Sequence, residues 1–271
     1  MNSRKSPLLV PLALMVLVRL SHAASFDELL KSNSCKGTFE EPRTEIDTGP
    51  SVKGAVKSGS ALTLECTAYS TPQASIRWEL NGKPLRNGPK GSDALERLEN
   101  RDIVTVQQSI TSSRLSLPCV DDTDAGTYTC IAESPCNSAS AEVEVKIEGK
   151  KMCKPAKKKN SIFRQGQAPV ITMWTDSRME RPEAAVQLFC RAKGVPQPEI
   201  NWYFAYPEDE EQFYPVKIDS RHIIMPSGDI LIKSGGTEVP TLYKCVAKNS
   251  FGKAEEMSML FEVTLEDMVE E

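Results

Sequence analysis

The sequence predicts an all-β fold made of two tandem β-sandwiches, and two observations carry this prediction. The first is a repeated pattern, in which a cysteine is followed twelve residues later by a tryptophan and then by a Tyr-x-Cys motif. Its residues are Cys66, Trp78, Tyr128 and Cys130 in one copy, and Cys190, Trp202, Tyr243 and Cys245 in the other. The pattern is typical of an immunoglobulin-like sandwich, in which a disulfide joins two sheets, the tryptophan packs against it, and the tyrosine hydroxyl binds upstream backbone.

The second observation is the alternation of apolar and polar residues around each motif, which predicts half-buried strands. In the first copy the apolar positions with this spacing are Leu62, Leu64, Cys66, Ile76, Trp78, Leu115, Leu117, Val143, Val145 and Ile147. Asn81-Gly82 lies between two of these segments and predicts a tight hairpin turn. We therefore place the first sandwich at residues 49–148.

The second copy shows the same alternation and a further hairpin signal. Its apolar positions are Val186, Leu188, Cys190, Ile200, Trp202, Met259, Phe261 and Val263. Residues 223–225 and 230–232 are two short apolar runs, and the Pro-Ser-Gly-Asp segment between them predicts a turn. We place the second sandwich at residues 168–265.

The two ends of the chain predict a secreted, extracellular protein. Residues 1–23 combine two early basic residues, an apolar run over 7–18 and a small-residue Ser-His-Ala ending, which is typical of a cleaved signal peptide. Twelve apolar residues would rise only ~18 Å as a helix, too short for a bilayer core of ~30 Å. Residues 24–48 are polar and are predicted to be a lead-in segment. Residues 266–271 form an acidic tail with the features of neither a membrane span nor a lipid anchor.

The charge balance argues against a nucleic-acid partner. The formal charge is −4, and it becomes −7 once residues 1–23 are removed, because that segment holds three basic residues and no acidic one. A net acidic, exported chain is a poor match for nucleic acid. All eight cysteines lie beyond residue 23, and an even number in an exported chain predicts four disulfides.

Four cysteines lie outside the repeated pattern, namely Cys35, Cys119, Cys136 and Cys153. Cys119 and Cys136 flank the strand of the first Tyr-x-Cys motif, so they should lie about 25 Å apart and cannot bond to each other. The directions of the first and last strands of the sandwich predict the pairs Cys35–Cys136 and Cys119–Cys153. The swapped pairing, Cys35–Cys119 with Cys136–Cys153, stays open. A zinc site fits poorly because the sequence has no Cys-x-x-Cys motif.

Segment 149–167 is strongly basic and is predicted to be the linker between the sandwiches. It has no acidic residue, and its cations are Lys150, Lys151, Lys154, Lys157, Lys158, Lys159 and Arg164. Such a cluster could bind heparan sulfate at a cell surface. Two other interpretations stay open, namely a processing site at paired lysines and a solvated linker that pairs with the acidic run 208–211.

The sequence contains no pattern typical of a catalytic or cofactor site. His222 is the single histidine beyond residue 23, and we expect it to be an exposed strand residue rather than a member of a catalytic triad. Carboxylates cluster in solvated runs, and no glycine-rich phosphate loop occurs. We therefore predict a binding protein that is not an enzyme and uses no cofactor or metal.

An aromatic set in the second sandwich is the candidate partner-binding surface. Its main members are Phe204, Tyr206, Phe213 and Tyr214, and Trp174 and Tyr203 extend it. A carrier of a peptide hormone should offer an apolar patch on the order of several hundred Å², which these residues could supply. In the other interpretation, some of the rings cover the core around the second tryptophan and others lie on a hairpin surface.

Together these motifs resemble those of the nematode zig proteins, a family of secreted proteins with two immunoglobulin domains, and of their insect relative, the neural/ectodermal development factor. The second sandwich carries the closer match, over residues 187–192, 196–202, 221–232 and 243–253. Many intermediate-set immunoglobulin modules of adhesion molecules share these motifs, so the resemblance implies two tandem domains of that set. It also implies a role in holding axons and neuronal cell bodies in place, and the insect relative implies binding of insulin-like peptides.

The second sandwich departs from the motif at one corner. The first has Asp124-x-Gly126-x-Tyr128, whereas Val239 and Thr241 stand at the equivalent positions of the second. We expect a looser corner there, with Arg221 lacking its carboxylate partner and Pro240 stiffening the turn. The expected partner is an extracellular protein, whether a cell-surface receptor, a matrix component or an insulin-like peptide, bound through sheet faces or edge strands.

Overall fold

The computed structural model describes residues 35, 40–85, 94–101, 103–150, 153, 166–206, 212–233 and 241–264. The predicted signal peptide and acidic tail lie outside these ranges, as do most of the linker and the acidic run 208–211. The described residues form strands almost throughout, arranged in two sandwiches, so the prediction of an all-β tandem fold is confirmed.

The first sandwich packs a three-stranded layer against a four-stranded layer. The three-stranded layer is ordered β1 (Arg43–Thr48), β3 (Leu62–Thr71) and β6 (Gln108–Leu117). The four-stranded layer is ordered β5 (Lys83–Pro84), β4 (Ser75–Leu80), β7 (Gly126–Glu133) and β8 (Ser138–Val145). The remaining elements are the parallel pair β2 (Val56–Lys57) and β9 (Ile147–Glu148), the helix α1 (Ala94–Glu99) and a 3-10 turn (Asp122–Asp124).

Strand β1 lies inside the segment that was predicted to be a lead-in, so the sandwich starts before residue 49. It runs antiparallel to β3, with Arg43 opposite Thr71 and Thr48 opposite Thr67. The one apolar residue of β1, Ile46, packs against the first core. A strand held mainly by backbone hydrogen bonds has almost no hydrophobic periodicity, which is why the sequence did not reveal it.

The predicted turn and corner of the first sandwich contact each other. The β4–β5 hairpin turns at Asn81-Gly82, where both residues have positive φ, 51° and 73°, as a two-residue hairpin turn requires. The side-chain oxygen of Asn81 accepts a hydrogen bond from the Thr127 backbone N–H at 2.9 Å. At the same corner the Tyr128 hydroxyl donates to the Asp124 carbonyl at 2.8 Å. The tyrosine therefore has the upstream backbone contact that its motif predicts.

The second sandwich packs a five-stranded layer against a three-stranded layer. The five-stranded layer is ordered β10 (Gln167–Glu180), β18 (Gly252–Glu262), β17 (Thr241–Asn249), β13 (Glu199–Ala205) and β14 (Tyr214–Pro215). The three-stranded layer is ordered β11 (Ala185–Leu188), β16 (Ile230–Lys233) and β15 (His222–Ile224), and β12 (Cys190–Val195) pairs with β10. The predicted hairpin corresponds to β15 and β16, with Ile224 opposite Ile230.

Each core contains the tryptophan and the disulfide that the repeated pattern predicted. Trp78 is fully buried in the cluster that holds Cys66 and Cys130, which are bonded to each other. Trp202 is buried with the bonded pair Cys190–Cys245, and its indole nitrogen donates to the Gly228 carbonyl at 2.9 Å.

The two sandwiches share one continuous sheet, which the sequence analysis did not predict. Strand β6 of the first sandwich runs antiparallel to β10 of the second, from Met173 opposite Ser113 to Met179 opposite Gln108. The resulting strand order is β1-β3-β6-β10-β18-β17-β13-β14. The sandwiches are therefore joined by backbone pairing as well as by the linker.

At the row through Arg178, both cores lie on the same side of this shared sheet. Residues that are opposite each other in a sheet point to the same face. Arg178 is opposite the buried Ser109 of the first sandwich and opposite Leu260, which belongs to the second core. The opposite face therefore runs across both sandwiches, and no second layer covers it among the described residues.

Candidate partner-binding site

The uncovered face of the shared sheet carries a row of side chains that crosses from one sandwich to the other. Tyr69 on β3 is opposite Ile110 on β6, which is opposite Ser177 on β10. Ser177 is in turn opposite Met259 on β18, and Met259 is opposite Leu242 on β17. Five strands at a spacing of ~4.8 Å make this row about 20 Å wide. We call the surface around it the junction face.

Two further rows extend the junction face on either side. Met179, Gln108 and Phe261 are in register with one another, one pleat from the central row. On the other side Met257 is opposite Lys244, which is opposite Tyr203. Met257 and Met259 are each 40 % exposed, and the other members are half-buried. The surface is thus a broad, mainly apolar sheet face with two accessible methionines at its centre.

A buried ionic cluster holds the two sandwiches in register beneath this face. Arg178 on β10 is fully buried, pairs with Glu96 on α1, and lies 3.3 Å from the Glu180 carboxylate. It also donates to the side chain of Gln73. Burial alone would lower the pKa of Arg178, but the two carboxylates outweigh burial and raise the pKa, so the guanidinium is charged.

Glu180 links the same cluster to the backbone of the first sandwich. Its carboxylate oxygens accept from the N–H groups of Val106 at 2.7 Å and Gln107 at 3.1 Å. Charge-assisted bonds to backbone donors are stronger than bonds between neutral groups. The cluster therefore ties a strand of the second sandwich to a helix and a loop of the first.

Helix α1 and the loop after β3 add neutral contacts across the junction. The Asn100 side chain, just after α1, donates to the Ala185 carbonyl at 2.7 Å and accepts from the Ala185 N–H at 2.6 Å. Gln73 donates to the Thr175 hydroxyl at 2.8 Å. Met173 and Phe189 of the second sandwich pack within the core cluster of the first. The sequence analysis missed all of these contacts.

Trp174, predicted to extend the aromatic patch, is instead buried at the junction. Its indole nitrogen donates to the Asp176 carboxylate at 2.5 Å, and the Arg114 guanidinium lies 4.9 Å from the ring centroid. Arg114 also pairs with Glu65 at 2.8 Å and with Glu256 at 2.9 Å, so it bridges β3 and β18. Trp174 is therefore a structural residue and is excluded from the predicted patch.

The predicted aromatic set is divided between the two faces of its sheet. Phe204 packs against the second core, and Tyr206 and Tyr214 contact its ring, with centroids 5.6 and 5.9 Å away. Phe213 lies on the opposite face, where the Lys244 ammonium is 3.6 Å from its ring centroid. Tyr206 and Tyr214 remain exposed, but the four residues do not form one patch. Side-chain alternation along β13 places Phe204 on the same face as the buried tryptophan two residues earlier.

His222 was predicted to be an exposed strand residue, and this expectation is wrong. Its side chain is only 16 % exposed, with Nδ1 3.3 Å from the Asp219 carboxylate and Nε2 3.4 Å from the Tyr243 hydroxyl. The Asp219 carboxylate also accepts from the N–H groups of Arg221 and His222, and these backbone bonds lower its pKa. Residues 239 and 240 lie outside the described ranges, so the expected loose corner stays a prediction.

The structure contains the disulfides Cys35–Cys136 and Cys119–Cys153, with Cα–Cα distances of 5.6 and 5.9 Å. This is the pairing indicated by strand direction, and all eight cysteines are bonded. Cys153 holds the start of the linker at the end of the first sandwich. Of the linker lysines only Lys150 is described, and it is exposed. The heparan sulfate hypothesis for the linker therefore stays a prediction.

Two sandwiches, each closed by a disulfide between its layers and packed around a tryptophan, define a tandem immunoglobulin-domain protein. Residues 42–134 match the family model for an immunoglobulin domain, and residues 169–261 match the model for the immunoglobulin I-set domain. Across the described ranges no helix is long and apolar enough to cross a membrane. In the same ranges no group of three or more His, Cys, Asp or Glu side chains is arranged to hold a metal ion.

The chain belongs to the family of two-immunoglobulin-domain zig proteins. It is 31 % identical to Zwei Ig domain protein zig-3 of Caenorhabditis elegans over 227 residues, which cover 80 % of this chain and 83 % of that protein. It is 29 % identical to zig-4 of the same organism, over 78 % of this chain and 77 % of that protein. The resemblance inferred from the sequence motifs is confirmed, and the family consists of interaction proteins.

The crystal structure of the neural ectodermal development factor IMP-L2 shares this fold. It superposes with a TM-score of 0.62 and covers 83 % of this chain and 97 % of that one, at 20 % sequence identity. At this identity the likeness concerns the fold alone.

Proposed function

We propose that this protein is secreted and binds an extracellular protein through the junction face, with a role in keeping axons and neurons in position. The observation that carries the proposal is the row of partly exposed side chains from Tyr69 to Leu242, which crosses the boundary between the sandwiches. Apolar sheet area that no layer covers is a common property of interaction sites. The neuronal role rests on membership of the zig family.

The junction supports binding because it keeps the face rigid. A partner that spans both sandwiches would pay an entropic cost if the sandwiches moved independently. Backbone pairing of β6 with β10 and the cluster around Arg178 remove that cost in advance. Met257 and Met259 then provide flexible, polarizable contacts on a fixed backbone, a combination that suits an irregular protein surface.

A second candidate function is that of an extracellular carrier that sequesters an insulin-like peptide. A carrier needs a contiguous apolar surface, and the junction face offers one that spans both domains. The neural ectodermal development factor, whose fold this chain shares, motivates this candidate.

Binding of the purified mature chain to a set of insulin-like peptides separates the two candidates. Submicromolar binding, competed by unlabelled peptide, would favour the carrier. Absence of binding would leave the neuronal interaction protein, which is tested by restoring axon position in animals that lack the chain.

Both assays use the double substitution Met257→Glu and Met259→Glu, which places two charges on the junction face. The matched control is Ile218→Glu, an exposed apolar residue (72 %) in the loop after β14. We expect the double variant to lose binding or rescue and the control to keep it. Full activity of the double variant would refute the junction face as the binding site.

Secretion is tested by sequencing the N-terminus of the protein recovered from culture medium. The expected sequence begins at residue 24 or 25, after removal of the signal peptide. Protein that stays in the cells with residues 1–23 attached would contradict the secreted form of the proposal.

A further inference from the structure

An open groove of about 640 Å³ lies on the outer face of the second sandwich, beside the junction face. Its floor is formed by β17 and β18, and its wall by Tyr203 and Phe213. Three lysines, Lys244, Lys248 and Lys253, line it together with the turn between the two strands. This combination of cations and aromatic rings was not recognised in the sequence, because strand pairing brings these residues together.

The three lysines are arranged along and across the groove. Lys248 is directly opposite Lys253 in the β17–β18 pair. Lys244 lies on the same strand and face as Lys248, four residues earlier, which corresponds to about 13 Å along the strand. Like charges directly opposite each other in a sheet repel. An anion placed between Lys248 and Lys253 would relieve this repulsion.

Two carboxylates reduce the positive charge of the groove without cancelling it. Glu255 also lines the groove, pairs with Lys253 at 2.7 Å, and has its pKa lowered by that hydrogen bond. Glu199 is opposite Lys248 across the β13–β17 pair. Three ammonium groups therefore face two carboxylates. Lys244 lies against an aromatic ring and also interacts electrostatically with Glu255.

The aromatic wall orients Lys244. Its ammonium lies 3.6 Å from the ring centroid of Phe213 and 6.0 Å from that of Tyr203. Cation–π contact of this kind fixes the position of a flexible side chain. The exposed parts of the two rings offer flat apolar surfaces next to a fixed positive charge.

We propose that this groove binds a sulfated polysaccharide of the heparan sulfate type. Sulfate and carboxylate groups of the polymer would contact the three lysines, and the apolar faces of its sugar rings would pack on Tyr203 and Phe213. The groove thus supplies a glycan site within the second domain, apart from the linker lysines, at the edge of the junction face with which it shares Tyr203 and Lys244.

The pairing of the groove floor favours a polysaccharide over an acidic peptide. Strand β17 is hydrogen-bonded on one side to β13 and on the other to β18. Its backbone therefore has no free edge to which a peptide strand could be added. Recognition has to occur through side-chain charges and ring faces, which a sulfated sugar polymer can satisfy without leaving backbone groups of its own unpaired.

The test is titration of the full mature chain with a heparin hexasaccharide at 0.15 M salt, compared among matched variants. The groove variant carries Lys244→Gln, Lys248→Gln and Lys253→Gln, and the linker variant carries Lys157→Gln, Lys158→Gln and Lys159→Gln. We expect the groove variant to bind about tenfold more weakly, because each exposed charge contact contributes modestly. The linker variant should bind within about threefold of the unmodified chain.

Two further variants test separately whether glycan binding depends on the charge of the lysines and on the aromatic ring of Phe213. A groove variant with three Lys→Arg substitutions should keep binding, because it retains the charges. Phe213→Leu should weaken binding about threefold, because it removes the ring while the lysines remain. Circular dichroism and thermal unfolding of each variant check that the fold is intact.

The proposal is overturned if the unmodified chain fails to bind the hexasaccharide, or if the groove variant binds within threefold of it. Loss of binding in the linker variant alone would assign the glycan to the linker. The junction face is assayed separately, with proteins and with the substitutions at Met257 and Met259, neither of which lines the groove.

Discussion

Replacing Arg178 with methionine is expected to destabilise the two sandwiches together. The guanidinium is fully buried, pairs with Glu96 and Glu180, and donates to Gln73. Methionine fills a similar volume but provides no charge or hydrogen-bond donor. The Glu96 carboxylate then loses its ion pair with Arg178 in a buried setting, whereas Glu180 keeps the backbone donors of the first sandwich.

The size of the effect follows from the burial of this cluster. Breaking a buried ion pair by removing one partner costs about 3–5 kcal/mol, because the other charge stays buried with less compensation. For a cooperative unit of 150–250 residues, each kcal/mol lowers the melting temperature by about 2–4 °C, so we expect a fall of about 6–20 °C.

Urea unfolding followed by tryptophan fluorescence measures this loss. Trp78 and Trp202 report on the two cores, and Trp174 reports on the junction. A second variant, with Arg178→Met and Glu96→Gln, removes the buried negative charge as well, and should recover at least about 1 kcal/mol.

The control is Arg43→Met, which removes an exposed ion pair with Glu45 and should change the free energy of unfolding by less than about 0.5 kcal/mol. A loss below about 1 kcal/mol for Arg178→Met would refute the argument that the buried cluster holds the junction. So would a double variant no more stable than the single one.

Two other predictions concern tyrosine ionisation and backbone strain. Burial raises the pKa of Tyr128 to about 12 and raises that of Tyr243 further, so ultraviolet titration should show both tyrosines still protonated at pH 11. Because these pKa values are higher in the folded state than the unfolded value of about 10, the neutral tyrosines stabilise the fold below pH 10. That stabilisation is lost as the pH rises through about 12, and titration of Tyr128 and Tyr243 near pH 10 would contradict their burial. Gly126→Ala should cost about 1–3 kcal/mol, because φ is 147° and a Cβ would clash with the Asn81 side chain. Gly54 also has a positive φ, but a Cβ there would lie in open space. The melting temperature should therefore fall less for Gly54→Ala than for Gly126→Ala. An equal fall would show that the contact with Asn81 has no effect on stability.

The elements that follow from local pattern and chain direction were predictable from the sequence. The Cys, Trp and Tyr spacing predicted both cores, because a disulfide between sheets requires its cysteines on inward-facing strand positions. Strand direction also predicted the pairs Cys35–Cys136 and Cys119–Cys153, because it fixes the end of the sandwich at which each loop emerges.

The junction was not predictable from such patterns, because it depends on pairing between distant edges. The inward positions of β6 near the junction are Ser109, Thr111 and Ser113, which are buried but polar and give no hydrophobic periodicity. Arg178 and Glu180 are charged residues, and their sequence pattern likewise predicts exposed positions on a strand. Buried charges at alternate positions of a strand are the one signal that could have indicated an interface there.

The aromatic set matches the second interpretation, in which some rings cover the core and others lie on the surface, and it does not form the single patch. Its members were grouped by composition, whereas strand alternation assigns them to faces. Phe204 is two residues after Trp202 and therefore shares its inward face, whereas Phe213 joins Tyr203 and Lys244 outside. Applying the two-residue period to this segment would have divided the set correctly.

The pairing of β6 with β10 also affects how each domain would behave when separated from the other. Residues 108–113 of β6 and residues 173–179 of β10 would then present unpaired N–H and C=O groups along one edge of each domain. Long unprotected edges of this kind are templates for addition of foreign strands and for aggregation. In the intact chain the edge strand of each domain is covered by the edge strand of the other. Single-domain fragments are therefore expected to aggregate under conditions in which the full chain stays in solution.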